Sequence, residues 1–186
     1  MQSRTILKLA AALSAVTMLL TGCSSDTAAT PAAEPSALMS EAVAAQGAGD
    51  AATAKAKLEL LVANADVVKD QTLVVTAYFN LGVLAQAANE SDKAIENYKR
   101  ALVIDPTYSP ALFNIAVASA AINPTAAMTY YGIILSMNPK DANSLYNLGL
   151  LKWNNDEKGT AKKLLKAAIA ESPALEQQLP ADIKLD

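Results

Sequence analysis

The chain has 186 residues, with 15 Lys and Arg against 18 Asp and Glu, a formal net charge of −3, no histidine and one cysteine. That inventory excludes His-based catalytic pairs, imidazole metal sites, internal disulfides and Cys-cluster centres. The acidic balance also argues against nucleic acid, which needs a basic stripe. Ala supplies 39 residues and aromatics only 5%, a composition suited to closely packed helices rather than a β-branched sheet.

The first segment carries two cations, Arg4 and Lys8, and then an apolar stretch from Leu9 to Thr21. Its 13 residues fall short of the ~20 that a membrane-spanning helix takes, and the pattern predicts a targeting signal. It ends in Leu20-Thr21-Gly22-Cys23. This run resembles the lipobox of bacterial lipoproteins: a branched apolar residue, two small ones, then Cys. The resemblance implies removal of residues 1–22 and a diacylglyceryl thioether on Cys23, the new N-terminus. The chain would then sit lipid-anchored on the extracytoplasmic face of a bacterial cell membrane, or on the outer membrane where the envelope has one. Each buried CH₂ adds about 0.8 kcal/mol, so two or three acyl chains anchor durably. Behind the cysteine, Ser24 to Ser36 has two prolines and no large apolar side chain. It predicts a flexible tether of roughly 20 Å.

Leu38 to Ala65 predicts a helical hairpin turned at Gly47-Ala48-Gly49-Asp50, with Ala54, Leu58 and Leu61 at core spacing in its second helix. Six further residues, Lys69 to Val74, are expected to lengthen the helix that follows. The strings Tyr78-Phe79-Asn80-Leu81-Gly82, Leu112-Phe113-Asn114-Ile115-Ala116 and Leu145-Tyr146-Asn147-Leu148-Gly149 then recur at spacings of 34 and 33. Each is followed by a second helical run that closes on Pro106, Pro139 or Pro173. Small residues in the first helix (Gly82, Ala116, Gly149) are expected to meet Ala94, Ala127 and Ala161 in the second, allowing close approach. Ser109 and Asp141 are candidate N-caps, and Asn123-Pro124 repeats the cap-then-proline signal. Leu175 and Leu179, four apart, predict a stub over the last unit.

A period of this length with two helices per unit resembles the tetratricopeptide repeat. The resemblance implies an all-α chain of tandem helix-turn-helix repeats stacked into a short right-handed superhelix. Its units run over 75–108, 109–141 and 142–175, with a stub at 176–186. The hairpin at 37–68 reads either as a degenerate first repeat, on its turn and spacing, or as an Ala-rich hairpin outside the repeat. The family pattern is broken at Ala85, Ser119 and Lys152, where an aromatic is usual, and at Ile134, where a small residue is.

The resemblance also implies that the first helices line a concave groove, bearing Phe79, Val83 and Gln86, then Phe113, Val117 and Ala120, then Tyr146, Leu150 and Trp153. Asn80, Asn114 and Asn147 stand beside them, suited to clamping the backbone of an extended peptide. Trp153 is the preferred hot spot, with burial under the C-terminal stub as its alternative. Lys158, Lys162, Lys163 and Lys166 form a basic, solvated face. There is no glycine-rich phosphate loop, so no enzyme activity, cofactor or metal is expected. The expected function is a lipid-anchored scaffold holding a peptide segment of a protein partner at the cell envelope. Alternatives are a pilotin-like assembly factor and a lipoprotein that stacks a small ligand or glycan on its aromatic row.

Overall fold

The computed structural model describes residues 34–185. The signal-like segment, Cys23 and the run to residue 33 lie outside them. The described residues form four helical hairpins in succession. These are α1 (Pro35–Gly47) with α2 (Ala51–Ala63), α3 (Gln71–Ala87) with α4 (Ser91–Ile104), α5 (Ser109–Ser119) with α6 (Pro124–Met137), and α7 (Ala142–Asn154) with α8 (Lys158–Glu171). A 3₁₀ helix, Pro173–Gln178, follows. No strand occurs among the described residues, and no helix there is long and apolar enough to cross a membrane.

Local chemistry sets the helix ends. Asp50, Asp70, Asn123 and Asp141 each accept a hydrogen bond from a backbone N–H of the first turn, at 2.8 to 3.1 Å, which satisfies one of the orphan donors there. The cap expected of Ser109 is corrected. Tyr108 holds the cap position without a side-chain bond, and Ser109 and Pro110 are already helical. Pro35 likewise sits in the first turn of α1, where its missing N–H costs nothing, so Pro35 and Ser36, expected in a flexible tether, are helical. Three of the four hairpins turn through a residue of positive φ at one register: Gly49 (78°), Asn89 (60°) and Asp156 (64°). In each the N–H of that residue and of the one after it fold back on the preceding helix, as Asn89 N does to Gln86 O (3.0 Å) and Glu90 N to Ala85 O (2.8 Å). This is a left-handed helix stop. The turn before α6 holds four residues, 120–123, against three in the other hairpins, and none of them has positive φ.

Packing runs mainly from neighbour to neighbour, with first helices of adjacent hairpins also touching, as α1 does α3. The helices of each hairpin pack on one another, and each second helix packs on the first helix of the next hairpin. Four apolar clusters follow in chain order: around Leu58, Leu61 and Val74, around Tyr98 and Ile115, around Leu112 and Tyr131, and around Leu165 and Leu175. The close approach between paired helices differs in detail from expectation. A methyl group on Gly82 would lie 2.4 Å from the Tyr98 ring, and one on Gly149 would lie 2.8 Å from Leu165 Cγ. The glycines therefore accommodate the large residue of the second helix itself.

Candidate peptide-binding face

The three first helices α3, α5 and α7 carry the candidate residues on one stripe, since positions four and seven apart share a helical face. Three open recesses gather most of them. Phe79, Asn80 and Val83 line one with Gln46 and Gly49. Phe79, Phe113 and Asn114 line the next with Pro110 and Asn143. Val117, Asn147 and Leu150 line the third with Ala120 and Tyr131. Neither Phe is fully covered. Phe79 packs between Tyr98 (5.9 Å between centroids) and Tyr108 (5.6 Å, edge-on), and Phe113 packs edge-on against Tyr131 at 5.8 Å. These contacts lock the rings while leaving part of each exposed, which suits a rigid anchor.

The asparagines have partners that sequence spacing did not show. Asn114 Nδ2 donates to the Tyr98 hydroxyl of the preceding unit at 3.4 Å, and that hydroxyl donates to Gln86 Oε1 at 2.8 Å. Asn147 stands at the matching place beside Tyr131, lining the same recess and opposing the rise of its pKa. Burial pushes Tyr131 up to about 12 and Tyr98 upward, against the opposing pull of these asparagines. Asn80 has no tyrosine to meet, because Leu58 holds that register in the first hairpin, and its Nδ2 lies 4.0 Å from Met39 Sδ. So two of the three asparagines join adjacent repeats, with their remaining polar capacity at the recess edge.

Of the expected groove residues, Tyr146 is covered and Trp153 is half-buried against the C-terminal segment. Tyr146 is 6% exposed and its hydroxyl donates to the Gln178 carbonyl. Trp153 packs on the cluster that includes Leu175 and Ile183, and its Nε1 donates to Asp182 Oδ2 at 3.3 Å. Lys158, read as part of a solvated basic face, turns back instead: its Nζ lies 4.2 Å from the Trp153 ring centroid and donates to the Trp153 carbonyl.

A larger cleft opens on the other side, between α2 and α4. Val62, Tyr78, Leu81 and Leu84 form its floor. Its rim charges neutralise one another in pairs: Lys55 with Glu59, Lys93 with Glu90, and Arg100 with Glu96. Spacings of three and four along a helix announce such pairs, and they leave no net charge to select a ligand.

Comparison with known proteins agrees with this geometry. Models of the family described as "Tetratricopeptide repeat" match residues 75–108 and 142–175. The chain is 30% identical over 98 residues to the human protein O-mannosyl-transferase TMTC3, which covers 50% of this chain and only 11% of that protein. Among solved structures, MamA superposes with a TM-score of 0.66 at 18% identity, over 77% of this chain and 81% of its own. A tetratricopeptide repeat protein from Parabacteroides merdae gives 0.67 at 20% identity, over 75% and 54%. YrrB, described as a TPR protein with an unusual peptide-binding site, gives 0.64 at 16% identity, over 80% and 76%. At these identities the structures share the fold. Residues 75–108 and 142–175 are tetratricopeptide repeats, set in an all-α array of tandem helical hairpins.

Proposed function

We propose that this chain is a lipid-anchored scaffold of the bacterial cell envelope that holds an extended peptide segment of a protein partner against α3, α5 and α7. The repeat fold supports protein–protein interaction as the general role. The Leu20-Thr21-Gly22-Cys23 run supports the anchor, and YrrB is a fold relative described as binding peptide. One observation carries the reading: Phe79 and Phe113, aromatic anchors on the first helices of successive hairpins, converge with Asn114 on one open recess. Rings fixed by their neighbours lose little entropy when a partner covers them.

Phe113→Ala is expected to weaken partner capture from detergent-solubilised membranes by about tenfold or more, corresponding to the ~1–3 kcal/mol of an interface anchor. Lys163→Ala on α8, exposed and away from the recess, serves as the control and should retain capture. Equal recovery by wild type and both variants would reject the groove. Cys23→Ser is expected to abolish partitioning into the detergent phase, and retention of that partitioning would reject the anchor.

A further inference from the structure

The last unit differs from those before it because its groove positions are occupied by the chain itself. Leu175 holds the register of Tyr108 and lies in one cluster with Tyr146, as Tyr108 packs on Phe79. Beyond the 3₁₀ helix the segment from Leu179 to Leu185 runs without regular structure, apart from a turn at Pro180–Ile183. Its Ile183 is 5% exposed, and Leu179 and Leu185 pack at the edge of the same cluster as Trp153 and Leu150. The polar contacts are few and directional. Within the segment the Asp182 carboxylate accepts from the Trp153 indole, and just before it, at the end of the 3₁₀ helix, the Gln178 carbonyl accepts from Tyr146. Side chains thus hold this segment as they hold a bound peptide. Leu150 also lines the open recess with Val117 and Asn147, so the occupied and open parts are continuous. At the equivalent place one unit earlier, Val117 is 42% exposed.

Resting on the groove reading above, we propose that Leu179–Leu185 is a displaceable internal occupant of the last unit. The partner segment that replaces it is extended and carries an Asp or Glu beside a branched apolar residue. The carboxylate takes the indole N–H that Asp182 now takes, at a ring already flanked by the Lys158 ammonium. The apolar residue takes the place of Ile183. A basic residue there would face Lys158 with like charge. Occupancy by the chain's own segment lowers apparent affinity by the fraction of molecules with the site open.

Trp153 is the sole tryptophan, so its emission reports the site directly. The probe is the synthetic peptide Leu-Pro-Ala-Asp-Ile-Lys-Leu-Asp, residues 179–186, titrated into the full chain. Ile183→Ser in the protein is expected to shift Trp153 emission to the red and to bind the peptide about tenfold or more tighter than wild type. A peptide carrying Asp182→Asn should bind that variant several-fold less well. Unchanged emission in Ile183→Ser, or equal or absent peptide binding by variant and wild type, overturns the proposal. If Ile183→Ser loses helical signal, Asp182→Asn in the protein decides instead: an emission shift supports displacement and no shift overturns it. The outcome is separable from the groove test. Capture that depends on Phe113 with no peptide binding to the released chain leaves the groove and removes the occupant. The reverse result removes the central recess alone.

Discussion

At Gly82 a single missing methyl group determines how near α3 comes to α4. The Tyr98 ring occupies the space where a Cβ would sit, and that ring is wholly buried and held at its hydroxyl by Gln86 and Asn114. Such a ring cannot swing aside. Gly82→Ala is therefore expected to cost ~1–3 kcal/mol through overpacking, read as a lower urea midpoint at unchanged slope. Tyr131 makes a second prediction at this scale. Its hydroxyl is held up to about 12 by burial, so the fold favours the neutral phenol over the unfolded chain's. That contribution is complete below pH ~10 and is lost as pH rises through ~12. Tyr131→Phe should lose less stability than wild type over that alkaline window, and parallel melting curves for the two proteins would contradict it. The importance of these tyrosines was not visible in the spacing alone. Tyr98 and Tyr131 hold matching second-helix positions 33 residues apart, but the asparagines that face their hydroxyls, Asn114 and Asn147, belong to the following repeat.

Helix ends separate what side-chain chemistry dictates from what packing dictates. Asp141 caps α7 through Ser144 N at 2.8 Å, whereas α5 starts at Ser109 with Pro110 behind it and no side-chain cap. Asp141→Ala is expected to cost ~0.5–2 kcal/mol, and Ser109→Ala next to nothing; thermal denaturation of both variants checks the contrast. The first hairpin turn was legible in Gly47-Ala48-Gly49-Asp50, and the later hairpins in the first-helix strings ending at Gly82, Ala116 and Gly149, which recur at 34 and 33 residues. The course of residues 179–185 was less so. Past Pro180 no apolar periodicity remains to announce where a segment lies, and its position depends on Tyr146 and Trp153, about thirty residues earlier by the spacing of their bonded partners and reachable only after folding. That is also why Tyr146 reads as groove in sequence and lies covered in the structure.

Across the described residues, stability is distributed as a row of hairpins, with the heaviest packing between helices adjacent in the chain. Such arrays respond locally to damage. Gly149→Leu, forced into Leu165, is expected to raise hydrogen exchange in α7, α8 and the segment after them, with α1 to α4 keeping their protection. A uniform rise from Leu38 to Leu179 would contradict a nearest-neighbour array. The central claim is that partners are met on the first-helix face. It is tested most directly by a photo-crosslinking amino acid placed singly at Phe113 and at Val103, which is 83% exposed on α4, followed by irradiation of intact cells. The account predicts discrete protein adducts from position 113 and none of the same mass from position 103. Adducts from position 103 alone would place the partner surface on the second helices and contradict it.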